Sequence, residues 1–87
     1  MSSYKLSIIT PHGKVFDSDV DSLQAPGTEG DFGVLYKHAP MVATLKEGVV
    51  EIKKNNTAQK FSISKGILEV SQSSQVLILA NQAQEVT

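Results

Sequence analysis

The sequence has no cysteine, no tryptophan and, among its eight basic residues, no arginine. Without cysteine it has no disulfide framework, no thiolate metal site and no cysteine nucleophile, which fits a reducing compartment. Without arginine it lacks the bidentate guanidinium fork favoured for phosphate and base readout. The five aromatic residues, two Tyr and three Phe, are few to line a concave apolar pocket, which argues against a stand-alone small-ligand binder. Long apolar runs are also missing. The longest is Val76 to Ala80, five residues, against the roughly 20 that a spanning helix needs. The opening Met-Ser-Ser-Tyr-Lys-Leu-Ser-Ile-Ile holds no apolar core of signal-peptide length. Membrane association is therefore expected only through a partner, with no direct insertion.

What is present suits one small folded domain spanning residues 1–87. Hydrophobic residues make up 40% and charged residues 20%, a globular rather than a disordered balance. The net charge is −1, and no basic, aromatic-interleaved face is visible, so nucleic acid is not an expected partner. A domain of this size buries roughly 60–65% of its unfolded surface, which implies modest stability.

Apolar residues recur at period two. Tyr4, Leu6 and Ile8 share one face of an opening strand, with Lys5 and Ser7 on the other. Pro11-His12-Gly13 is a turn. Further strands are expected at 14–17, 20–25, 33–36, 41–45, 49–53, 61–64, 67–70 and 76–80. Asn55-Asn56 signals a hairpin, because asparagine tolerates the left-handed region. Gln72 to Gln75 is a polar turn, and Val76–Ala80 is apolar on both faces, as a doubly covered central strand would be. Residues 81–87 read as a polar, frayed C-terminal tail. No helical stripe of ten or more residues occurs. The fold class is all-β, an antiparallel sandwich or barrel of short strands.

The stretch from Ala25 to Leu45 carries three of the six glycines (Gly27, Gly30, Gly33), two of the three prolines and His38. It reads as irregular backbone on a β scaffold, where function tends to sit. Its glycine spacing does not fit a dinucleotide fingerprint, no helix start follows, and Glu29 and Asp31 would repel a phosphate. The glycines instead imply tight turns with backbone positions needing positive φ, and if Gly33 holds one of them a valine there should disturb the loop. Asp17, Asp19 and Asp21 form a D-x-D-x-D series, but a calcium loop would then need glycine and glutamate where Ser22 and Thr28 stand. A solvated strand face, or edge protection by charge, accounts for them. His38 has no G-x-S-x-G nucleophile motif and no histidine pair at metal spacing beside it, which argues against a small hydrolase. No catalytic, metal or cofactor site emerges. The residues alone describe an all-β binding or structural module.

Two runs carry a resemblance. They are Ala25-Pro26-Gly27-Thr28-Glu29-Gly30-Asp31-Phe32-Gly33-Val34-Leu35 and His38-Ala39-Pro40-Met41-Val42-Ala43-Thr44-Leu45-Lys46-Glu47-Gly48. Together with Lys5 to Pro11 and Gly66-Ile67-Leu68-Glu69-Val70, they resemble the epsilon subunit family of F-type ATP synthases over roughly residues 4–80. The resemblance implies a β-sandwich of two sheets with about ten strands. It implies a non-catalytic central-stalk (rotor) part without cofactor, joining the gamma subunit to the c ring and coupling proton flow to ATP synthesis. Such a part would sit peripherally at an energy-coupling membrane, on the cytoplasmic face in bacteria. By position, Glu29, Gly30 and Asp31 would meet the c ring. Thr10, His38 and Ala43 would face gamma, with Met41 as an apolar anchor between them. Longer family members continue into a two-helix C-terminal domain, for which residues 81–87 are too short, so inhibition by extended helices and ATP binding are not expected of this sequence. The alternative is a stand-alone β-sandwich binding module.

Overall fold

Tyr4, Leu6 and Ile8 are buried while Lys5 between them is exposed, the alternation that a strand over a core demands. Ten segments of this kind make up the computed structural model, which describes residues 3–86. They are β1 (Tyr4–Thr10), β2 (Gly13–Val20), β3 (Ser22–Gly27), β4 (Gly30–Leu35), β5 (Met41–Leu45), β6 (Gly48–Lys54), β7 (Thr57–Ile63), β8 (Gly66–Val70), β9 (Val76–Ala80) and β10 (Ala83–Val86). The expected domain limits at residues 1 and 87 lie outside the described residues.

The strands pair in the order β10-β7-β6-β3-β5-β8-β9-β1-β2, with β4 on β3. β3 makes the corner. Ser22 to Gln24 pair with β6, whereas Gly27 at its end pairs with Leu45 of β5. The sheet folds over there into two layers, β10-β7-β6-β3-β4 and β5-β8-β9-β1-β2, nearly closed as a barrel-like β-sandwich. One pairing departs from the antiparallel expectation. β1 and β9 run parallel, Leu6 to Ile9 beside Val76 to Leu79, so the sheet is mixed.

Between the layers lies one apolar core. Leu6, Ile8, Val20, Val50, Leu68 and Ile78 are fully excluded from solvent, each contributing about 1.5–3 kcal/mol of burial. Phe16 meets Phe61 edge-on, ring centroids 5.5 Å apart, the geometry that aromatic quadrupoles favour.

Three sequence expectations are corrected. The end of the chain is not frayed over its described part, because Ala83–Val86 pairs with β7 from Ile63 to Lys60. β2 runs on to Val20 and β3 starts at Ser22, the break falling at Asp21, whose N–H donates to the Lys53 carbonyl at 2.8 Å. The Ala25–Leu45 stretch is mostly paired strand, since β4 spans Gly30–Leu35 against β3. The expected turn at Asn55-Asn56 is present, with φ of 52° and 66°. It lets β7 begin at Thr57.

Candidate functional site

Residues 27–30 turn the chain between β3 and β4 with only Thr28 and Glu29 outside the strands. Gly30 has φ of 128°, a conformation only glycine adopts cheaply. Gly27 is required by space. A Cβ there would sit 2.6 Å from the Gly30 carbonyl oxygen and 2.9 Å from the Phe32 ring. β5 fastens the turn from beside. The Thr28 N–H donates to the Thr44 carbonyl at 3.1 Å, the Lys46 N–H to the Pro26 carbonyl at 2.9 Å, and the Thr28 and Thr44 hydroxyls lie 2.7 Å apart. At the other end of β4 the buried Tyr4 hydroxyl donates to the Val34 carbonyl at 2.7 Å. Burial raises the Tyr4 pKa, so the phenol stays protonated as a donor.

Glu29, Gly30 and Asp31 are therefore exposed together on a stiffly mounted tip. They rim a shallow hollow of about 570 Å³ whose floor includes Phe32, Met41 and Ala43. Gly33 is not a positive-φ residue as expected. It continues β4 opposite Gln24, and a Cβ there would meet only the Leu23 carbonyl at 3.6 Å.

The other four expected contact residues do not form one exposed patch. Thr10 is 8% exposed. Its Oγ1 donates to the Gly13 carbonyl at 3.3 Å and accepts from the His12 N–H at 3.1 Å, so it caps the β1–β2 turn. Met41 and Ala43 are half-buried on the inner side of β5, and Met41 packs against the core. The exposed apolar side chain beside Met41 is Val42, at 70%. His38 sits in the turn after β4. Its N–H donates to the Leu35 carbonyl at 3.0 Å and its Nδ1 to the Ala39 carbonyl at 2.7 Å.

The outward residues of the same strands form a surface that the sequence reading passed over. Thr44, Ile67, Leu79 and Ile9 follow one another across β5, β8, β9 and β1. Ile67 and Leu79 are each 44% exposed. β9 is central in its pairing, as expected, but its outer face is open rather than covered. The signal was available in β8 and β9, which carry apolar residues at both parities. Such a pattern says that both faces want covering, not that this chain supplies both covers.

Asp17 and Asp19 lie on β2, at an end of the sheet. Lys14 and Lys5 approach the Asp17 carboxylate at 3.0 and 3.4 Å, and the Ser7 hydroxyl donates to it at 3.1 Å. The Lys14 hydrogen bond, then that of Ser7, holds the Asp17 pKa below the ordinary carboxylate value. Asp21 points elsewhere, accepting from the Asn55 N–H at 3.0 Å. Among the described residues no three His, Asp or Glu side chains converge as a metal site.

A family model described as the ATP synthase delta/epsilon chain, beta-sandwich domain, matches residues 3–86. An ATP synthase epsilon chain of Alkalihalophilus pseudofirmus is 43% identical over 97% of this chain and 62% of its own length. One of Caulobacter vibrioides is 44% identical over 80% of this chain and 81% of its own. The chain thus spans about three fifths of the length of the first of these relatives. Among solved structures, a chain in the Euglena gracilis mitochondrial ATP synthase (OSCP/F1/c-ring) superposes with a TM-score of 0.91 over 98% of this chain and 54% of its own. At 22% identity it shows a shared fold.

Proposed function

The chain belongs to the delta/epsilon family of ATP synthase subunits, and from that membership we propose that residues 1–87 form a non-catalytic rotor domain joining the gamma subunit to the c ring. In this role it makes no bond to nucleotide. It transmits torque and position between the proton-driven ring and the shaft beneath the catalytic head, held at the membrane periphery by the complex. Among the described residues no helix is long and apolar enough to cross a membrane.

The observation that carries this reading is the family match along the whole described chain. Two features of the molecule fit it. The Glu29–Asp31 tip is exposed, acidic and fixed by backbone bonds to β5, which suits a charged contact with the c ring that sets orientation. The outer face carries the open apolar side chains Ile67 and Leu79, with Val42 beside the exposed Glu69 at its edge, which suits a broader cover by gamma. His38 stands in the turn that leads into β5. Thr10, Met41 and Ala43 then support the gamma contact from beneath, by fixing the β1–β2 turn and the inner side of β5.

Calorimetric titration of the chain against purified gamma subunit tests the partner. A specific one-to-one complex is expected, weakened by Leu79→Lys; no heat at micromolar concentration would overturn the gamma assignment. The c-ring contact is tested separately by Asp31→Lys, on an exposed residue. Proton pumping per ATP hydrolysed in reassembled enzyme is expected to fall with the melting temperature unchanged. Unchanged pumping would sink that contact.

A further inference from the structure

β4 pairs with β3 and, among the described residues, with no other strand. Pairing parity tells which of its backbone groups are free. Gly27 and Gly30 close a two-residue turn, so Gly30, Phe32 and Val34 turn their N–H and C=O groups toward β3. The bonds of Pro26 and Thr28 to β5 give the same parity from the far side of β3. Asp31, Gly33 and Leu35 therefore turn theirs to the outer edge. The Leu35 carbonyl is taken by the His38 N–H at 3.0 Å. Both groups of Asp31, both groups of Gly33 and the Leu35 N–H face outward without a partner strand.

An open edge of this kind is a template for another strand unless something blunts it. β2 is blunted by Lys14, Asp17 and Asp19 and by the bulge between Ile8 and Ile9, and β10 is only four residues long. β4 carries no charge from Phe32 to Leu35, and Leu35 is 65% exposed.

We propose that the β4 edge is a pairing surface for the β4 edge of a second copy of this chain, in antiparallel register about Gly33. In that register the free groups match except the Asp31 N–H, which faces the Leu35 carbonyl already bonded to the His38 N–H. Gly33 N–H and C=O exchange bonds with their copies, and each Leu35 N–H meets the Asp31 carbonyl of the other copy. Charges match as well, since the turn before β4 carries Glu29 and the turn after it carries Lys37, and antiparallel pairing brings the Glu29 end of each copy to the Lys37 end of the other. Gly33, where the two backbones meet at the dyad, carries no side chain. Six-residue edges bury less than the roughly 1,000 Å² of a stable interface, so the dimer is weak and forms at hundreds of micromolar. It covers Glu29 and Asp31. A paired chain thus cannot offer its acidic tip to another partner, and pairing is a property of the free chain.

Sedimentation equilibrium of the chain alone, from about 10 µM to about 1 mM, tests this. A monomer–dimer equilibrium is expected. Glu29→Lys should raise its Kd about tenfold, by removing two symmetric charge pairs and adding repulsion. Glu29→Lys combined with Lys37→Glu should restore it. Because the chain has no cysteine, Gly33→Cys gives an independent reading. Directly opposed, hydrogen-bonded residues lie about 5.5 Å apart at Cα, within disulfide reach. Oxidation should therefore cross-link Gly33→Cys faster than Gln72→Cys in the exposed turn before β9. A monomer up to 1 mM, an unchanged Kd in Glu29→Lys, no restoration in the double variant, or equal cross-linking rates would each overturn the proposal.

Discussion

β2 and β4 both leave one side unpaired, yet they are secured by opposite means. Beyond the burial of Val20 and the packing of Phe16 on Phe61, β2 is fastened at its surface. Lys5, Lys14 and Ser7 gather on the Asp17 carboxylate in full view of solvent. β4 is held by shape and by buried bonds. Gly27 has no room for a methyl group, the turn is bonded to β5, and the Tyr4 hydroxyl grips the Val34 carbonyl from inside the core. Surface charge is tunable and worth little per pair, whereas a packed turn is nearly all-or-none. The strand with the proposed functional tip is the one held by shape, as a contact that must keep its orientation under load requires.

The largest effect should come from the shape-held turn. Gly27→Ala puts a Cβ against the Gly30 carbonyl and the Phe32 ring, and the Gly30 carbonyl is backbone of a turn that Pro26 and Thr28 bond to the β5 segment. A loss of about 3 kcal/mol is expected, a fall in melting temperature of roughly 15 °C for a domain of this size. Thermal unfolding followed by circular dichroism measures it. A fall of under about 3 °C would show that the turn yields, and would erase the contrast between the two strands.

Tyr4→Phe comes next. It deletes the buried donor to Val34 and is expected to cost about 1–2 kcal/mol at neutral pH. Its pH signature is distinctive. Burial raises the Tyr4 pKa above the ordinary value of about 10. The stabilisation is therefore fully present below pH 10 and drains away as pH rises toward the folded-state value. Urea titrations from pH 8 to about 11 should show wild type and Tyr4→Phe converging. Parallel curves would mean that the phenol does not grip β4.

Gly33→Val probes the same strand where shape does not constrain it. The backbone is not in the left-handed region, and the added Cβ would make an ordinary contact. Valine also suits a strand better than glycine. The melting temperature should hold or rise by roughly 3 °C; a fall of more than about 5 °C would extend the tight region along all of β4.

Gly33 marks where the sequence ceases to be legible. Periodicity exposes Tyr4, Leu6 and Ile8 as core, because a clean local alternation has one solution over a single core. It does not say which glycine of three takes positive φ, since that depends on where β3 and β4 pair. Gly30 does; Gly27 and Gly33 do not. Pairing also decides the end of the chain. Ala83–Val86 looks like a polar tail until β7 is there to receive it. The site shows the same division. Glu29 and Asp31 stand out as charges in a glycine-rich turn. Val42, Ile67 and Leu79 become a surface only once three strands separated in sequence are laid side by side.

The smallest effect belongs to β2, and it is informative because of its pH window. Lys14 and Ser7 hold the Asp17 pKa below its ordinary value near 3.9. The stabilisation is therefore present above about pH 4 and lost as pH falls through the folded-state value. Asp17→Asn should be slightly less stable than wild type at pH 6, and the gap should close in acid. Molar salt should also shrink it, since the pairs are exposed. Salt should leave the Gly27→Ala deficit untouched, because no charge contributes to it. Denaturant midpoints for the four combinations of residue and salt distinguish the two kinds of hold. If salt moved both deficits equally, the turn would rest on charge after all, and the Glu29–Asp31 tip would be only as firm as the ions around it.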